Sequence, residues 1–223
     1  MMFRMRNIEP RIKPMKIAVI YYSSTGSVHG LAEAVAAGAS DEGAEVRLRR
    51  VPELAPKEAI ASNPSWAAHL DAVDGVVPIA QLDDLSWADG YAFGTPTRFG
   101  TVAAQLKQFL DQTGGLWQAG TFIDKPVTSF TSAINQHGGA EATLLSLNNV
   151  FYHWGSLIVP TGYADPVVYG AGGNPYGTSH ITGMPAVEPT DEVLAAARYQ
   201  GGRLARVCQR LAVGAEAAAA SAV

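Results

Sequence analysis

Lys16-Ile17-Ala18-Val19-Ile20-Tyr21-Tyr22, followed at once by Ser23-Ser24-Thr25-Gly26-Ser27, is the stretch from which the fold is read. Its first seven residues are a nearly continuous run of β-formers, as expected of a central parallel strand covered on both faces. The polar loop leads into Val28, Leu31, Ala32, Val35 and Ala39 at helical spacing, and Gly43 ends that helix. Glu45–Arg50 then alternates like a strand nearer an edge, so the chain opens β-loop-α-β. Further strands are expected at Gly90–Thr95, Pro126–Ser132 and Ser156–Val159. Helices are expected at Thr101–Leu110, over Leu144–Phe151, and from a Thr190 cap to about Leu211. Residues 52–88, broken by Pro52, Pro56, Pro64 and Pro78, read as an excursion with one or two short helices. Alternating strands and helices imply an α/β fold: a doubly wound parallel five-stranded sheet, helices on both faces, strand order 2-1-3-4-5.

The totals agree with one domain over residues 15–210. The chain has 223 residues, 48% of them hydrophobic and only 16% charged, enough for a buried core. A net charge of −4 leaves no general nucleic-acid footprint. The apolar runs are strand length, so no membrane segment is expected. The single cysteine, Cys208, excludes an intramolecular disulfide and agrees with a reducing, cytoplasmic compartment. It falls on the apolar face of the last helix and is expected to be buried and inert. Residues 1–14 read as a disordered extension or a misplaced start, and the alanine-rich tail 211–223 is expected to fray.

Ser23 to Val28 is the first candidate site. In sheets of this kind ligands bind beyond the carboxyl ends of the strands, where this loop falls. Its hydroxyls, Gly26 and the positive end of the following helix can surround a phosphate. The loop has no lysine, and neither GxxxxGK[ST] nor a dinucleotide G-x-G-x-x-G is present. A phosphomonoester held without lysine is what the tail of FMN offers. The alternative is a plain polar turn in which Ser27 caps the helix.

The third strand runs into Gly94-Thr95-Pro96-Thr97-Arg98-Phe99-Gly100, and the next helix into Asp111-Gln112-Thr113-Gly114-Gly115-Leu116-Trp117. These two motifs resemble the WrbA family of flavodoxin-like quinone oxidoreductases. The likeness extends to Ile158-Val159-Pro160, Pro175-Tyr176-Gly177 and Ala197-Arg198-Tyr199-Gln200-Gly201, covering nearly everything from Met15 to Cys208. It implies a flavodoxin fold, noncovalent FMN, NADH or NADPH as co-substrate, two-electron reduction of quinones, and a homotetramer. It further implies FMN contacts from Ser23, Ser24, Thr25, Gly26, Ser27 and Val28, and from Pro96, Thr97, Arg98, Phe99 and Gly100. A third set runs over Ser132, Ala133, Ile134, Asn135, Gln136, His137, Gly138 and Gly139, with His153 as a further contact and Trp117 at the substrate face. Thr25 stands where the family commonly has a tyrosine linked to nicotinamide-nucleotide binding. The Ser132–Gly139 loop departs from the family's Thr/Gly-rich form.

The residues themselves support part of this reading. Pro96 stiffens the strand exit, and Arg98 is either a permanent cation near a flavin ring or half of a surface ion pair. Phe99 and Trp117 either wall an aromatic pocket or serve as core and interface residues. Gly114-Gly115 marks a flexible turn, consistent with Trp117 reaching a neighbouring subunit. His153 either bonds a flavin or quinone oxygen or stabilises a helix end. The histidines show no metal-ligand spacing, so no metal is expected, and no G-x-S-x-G elbow marks a hydrolase. The expected chemistry is ping-pong hydride transfer through flavin N5, with no catalytic side chain. A one-electron flavodoxin-type carrier and a non-enzymatic FMN-binding regulatory protein are the rivals. Neither NADH nor NADPH is favoured by any assignable ribose contact.

Overall fold

The computed structural model describes residues 13–221; most of the expected N-terminal extension lies outside them. The central strand β1 is Lys16–Tyr21. Its side chains alternate strictly, as the period of two requires. Ile17, Val19 and Tyr21 point into one core, while Ala18, Ile20 and the following Tyr22 point into another.

The first core is closed by helices α1 (Ser27–Asp41) and the long C-terminal α9 (Asp191–Ser221), through Leu31, Val35, Leu204 and Ala205. The second core packs Tyr91 and Phe93 of β3 (Gly90–Arg98) against α4 (Leu82–Trp87), α5 (Ala104–Asp111) and α7 (Ala140–Trp154). At its base Phe122 stacks on Trp154 with ring centroids 3.9 Å apart, and Tyr91 meets both edge-on. This aromatic cluster fixes the C-terminal end of α7.

With β2 (Glu45–Arg50), β5 (Pro126–Ala133) and β6 (Leu157–Ile158), the sheet runs β2-β1-β3-β5-β6, all parallel. This is the expected order 2-1-3-4-5 for the five strands read from the sequence. Two further strands were not expected. The pair Thr101–Val102 is a strand, β4, that folds back antiparallel onto Thr97–Arg98, so the helix expected from Thr101 begins only at Ala104. β6 is only two residues long and pairs with the lower part of β5; β7 (Ser179–Ile181) pairs with Thr131–Ala133 above it. An uncovered stretch of β5 edge would leave buried backbone groups without partners, and β7 supplies them.

The excursion holds α2 (Lys57–Ala61) and α3 (Pro64–Val73) before α4, three helices rather than one or two. Glu53 anchors it. Its carboxylate accepts hydrogen bonds from Tyr22 Oη (2.8 Å), Trp66 Nε1 (3.0 Å), Gln105 Nε2 (2.8 Å) and the Leu54 and Ala55 amides. Burial pushes its pKa up, but these donors outweigh burial and hold it below the usual carboxylate range.

α6 (Gly114–Gln118) follows α5, and α8 (Val167–Gly170) precedes β7. α9 begins at Asp191, where the Thr190 carbonyl accepts from the Leu194 amide. It runs on through the alanine-rich tail to Ser221, consistent with alanine being the strongest helix former. Cys208 is buried, and burial raises its thiol pKa to about 12, leaving it unreactive.

Candidate functional site

The strands deliver three loops to the carboxyl edge of the sheet, and between them lies a cleft of 710 Å³. The first loop joins β1 to α1. Gly26, at φ +103°, is the N-cap of α1, and no side chain caps the helix. Ser27, the capping candidate of the plain-turn reading, is therefore the first helical residue rather than the cap. The first helical bond in this turn is from the Gly30 amide to Gly26 O, so the amides of Ser27, Val28 and His29 have no acceptor within the helix. Ser23 Oγ accepts from the Gly26 amide at 3.1 Å, and Ser24 Oγ from Arg98 Nη2 at 3.2 Å. Ser23, Ser24, Thr25, Ser27 and Val28 line the cleft.

The second loop is stiffer than its proline alone requires. Thr95 Oγ1 accepts from the Ala103 amide at 3.0 Å, and Thr131 Oγ1 donates to Thr95 O at 2.7 Å. The chain reverses between β3 and β4 through Phe99 (φ +53°) and Gly100 (φ +78°). A positive φ is costly for phenylalanine, and such strain collects at ligand sites. The turn leaves the Phe99 ring fully exposed beside the cleft. Arg98 bonds Thr97 O and Ser24 Oγ, bridging the first two loops. Among the described residues no carboxylate pairs with it, so the surface ion-pair alternative is not realised.

The third loop leaves β5 at Ala133. Ser132, Ala133, Ile134, Asn135 and Gly138 line the cleft, whereas Gln136 and His137 are exposed outside it. Gly139 packs backbone to backbone on Gly100, and Thr143 Oγ1 donates to Thr97 Oγ1 at 2.6 Å, which ties the second loop to the third.

Part of the wall escaped the sequence reading. Thr182, Gly183, Met184 and Ala186, just after β7, close one side, held by the Thr182 amide on Ala133 O and the Gly183 amide on Ile134 O. Asn63, the N-cap of α3, closes another.

Trp117 and His153 are brought to each other and not to this cleft. Trp117 Nε1 donates to His153 O at 2.8 Å, and both border a separate 380 Å³ depression at the end of α7. The loops stand at the other end of that 15-residue helix, about 20 Å away at 1.5 Å per residue. Trp117 is 55% exposed, with Tyr152 exposed nearby. Among the described residues no cluster of three metal-ligating side chains forms, and no helix is long and apolar enough to cross a membrane.

A relative from Deinococcus radiodurans named NAD(P)H dehydrogenase (quinone) is 42% identical over 78% of this chain and 88% of its own length. Another of the same name, from Geotalea uraniireducens, is 42% identical over 89% of this chain and all of its own. The crystal structure of a WrbA-like flavodoxin from Agrobacterium tumefaciens superposes with a TM-score of 0.62 at 25% identity, covering 88% of this chain and 98% of that one. An archaeal flavodoxin, at 20% identity and a TM-score of 0.56, shares the fold. The sequence profile described as NADPH-dependent FMN reductase matches residues 15–166, which contain all three loops, and the chain belongs to that family.

Proposed function

We propose that this chain is a WrbA-type quinone reductase that holds FMN in the three-loop cleft and passes two electrons from NADH or NADPH to a quinone. The observation that carries the reading is the uncapped start of α1, ringed by hydroxyls, opening into a rigid slot made by the other two loops. The donor set fits a phosphomonoester: neutral hydroxyls, free amides and a helix dipole, with no lysine needed. The homologues named as quinone dehydrogenases support the substrate class.

In this reading Ser23 to Val28 hold the phosphate, while Thr97–Phe99 and Ser132–Asn135 with Gly138 flank the flavin ring. Bound FMN supplies two-electron carriage between nicotinamide and quinone. Arg98 keeps a permanent positive charge at the mouth, which favours an electron-rich ring. Phe99 offers a flat apolar face to planar reactants. No side chain has to transfer a proton. Dependence on soluble nicotinamide nucleotides supports a cytoplasmic location.

The deciding experiment begins with FMN-loaded protein passed through a desalting column. Flavin that stays bound, is bleached by NADH without oxygen, and recovers fully on adding benzoquinone is the expected result. Initial rates should give parallel double-reciprocal lines, since both reactants use one face in turn. Flavin that leaves during turnover would mean that FMN is a substrate, and flavin that neither nucleotide reduces would mean a carrier or regulatory protein.

The Trp117–His153 patch lies too far from its own cleft to act there, so the substrate-face role that the family resemblance implies for Trp117 requires the cleft of a neighbouring subunit, as in a homotetramer. Sedimentation should give four chains, and Trp117→Ala should lower kcat/KM for quinone about tenfold with FMN still bound. A tetramer-breaking variant with full activity would rule out the trans contact.

A further inference from the structure

A second trough of 600 Å³ adjoins the three-loop cleft on the far side of the phosphate loop, and the two share Thr25, Ser27, Asn63 and Ala186. FMN is a mononucleotide, and its phosphate and ring are accounted for by the first cleft. A nicotinamide dinucleotide is longer, and its adenosine half needs a surface beyond the ring slot. The trough offers such a surface, since it borders the cleft at those four shared residues.

Its lining matches a nucleoside. Ala68 and Val187 provide small apolar surface, and Ser65 and His69 of α3 provide neutral polar groups. Burial, then the neighbouring His29 and Arg50, depress the His69 pKa to about 4, so this side chain carries no charge at neutral pH. Glu188 is the one ionised group on the trough's wall among the described residues, where no lysine or arginine lines it. The Glu188 carboxylate is exposed and makes no hydrogen bond or ion pair to another described residue.

We infer that this trough takes the adenosine half of the nicotinamide nucleotide and that Glu188 makes the enzyme prefer NADH to NADPH. The inference rests on the quinone-reductase reading for its physiological meaning. A carboxylate accepts both hydroxyls of a ribose diol. A 2′-phosphate removes one of those donors and brings two negative charges against a third, with no lysine or arginine on the trough's wall to offset them.

The test uses FMN-loaded protein and two probes that cannot be oxidised, ADP-ribose and 2′-phospho-ADP-ribose, in calorimetric titrations. ADP-ribose is expected to bind at least tenfold more tightly than its 2′-phosphate. The kcat/KM ratio of NADH to NADPH with benzoquinone should be tenfold or more. Glu188→Gln should shrink both ratios severalfold, and Glu188→Lys should invert them. FMN affinity and the KM for benzoquinone should stay unchanged in both variants. Equal binding of the two probes, or ratios that ignore Glu188→Lys, would overturn the inference. If neither nucleotide reduces the flavin, the quinone-reductase reading fails, and the calorimetric ratios alone still decide the trough.

Discussion

Replacing Gly201 with valine should cost the protein about 3 kcal/mol or more of folding stability and leave much of it insoluble. A Cβ at Gly201 would lie 1.9 Å from the carbonyl oxygen of Val35 in α1, and one at Gly38 would lie 1.8 Å from that of Arg198 in α9. The two helices thus cross with backbone against backbone, and neither contact has a flexible side-chain end that can move aside. Valine forces the axes apart along a seam where Leu31, Val35, Ala39, Ala197, Leu204 and Ala205 are all fully buried. A gap there forfeits dispersion contacts on both helices without admitting water. Next to Gly201, Gln200 bonds Thr128 Oγ1 and Ser129 O of β5 and accepts from the Thr178 amide, so a displaced α9 also strands buried polar groups. Urea unfolding of the flavin-free protein measures the effect. The internal control is Gly214, in the same helix, where nothing lies within 4 Å. Gly214→Ala should raise stability by about 0.5–1 kcal/mol through helix propensity alone. A Gly201→Val midpoint equal to that of the parent would refute the backbone crossing.

The same crossing shows where sequence reading stops. Residues 16–22 reveal the fold because a strand covered on both faces tends to a nearly continuous apolar run, and that pattern is local. The phosphate loop is legible for a similar reason, being contiguous in the chain and placed by the strand before it. Gln200-Gly201 is visible only as a motif, since its purpose lies in contacts with Val35, Thr128 and Ser129, far away in sequence. β7 has three residues, too few for a period, and exists because β6 leaves the upper edge of β5 open. Its followers Thr182–Ala186 reach the cleft by backbone bonds, which any residue with a free amide can make. Asn63 reaches it through a short helix tethered at Trp66 by Glu53. Trp117 and His153 were legible as residues but not as a place, because their separation from the loops is set by the length of α7.

Gly26→Val should weaken FMN binding about 10- to 100-fold while leaving the fold intact. At φ +103° and ψ −32° Gly26 occupies backbone space that a β-branched residue cannot enter without strain of about 1–3 kcal/mol. The chain can relieve that strain by turning the peptide before α1, because its tip is half-exposed and carries no core side chain. Turning it moves the Gly26 amide off Ser23 Oγ and re-aims the amides of Ser27 and Val28, the donors assigned to the phosphate. Losing about 1.4–2.7 kcal/mol of binding corresponds to the stated 10- to 100-fold. The other two loops are untouched and Arg98 keeps its bond to Thr97 O, so the loss should fall on the phosphate and not on the ring. Titrating the flavin's fluorescence with FMN and, separately, with phosphate-free riboflavin separates the two. Riboflavin affinity should hold, and the preference for FMN over riboflavin should collapse. Equal losses for both ligands would make Gly26 a general hinge of the cleft, and no loss for either would remove the phosphate from this loop.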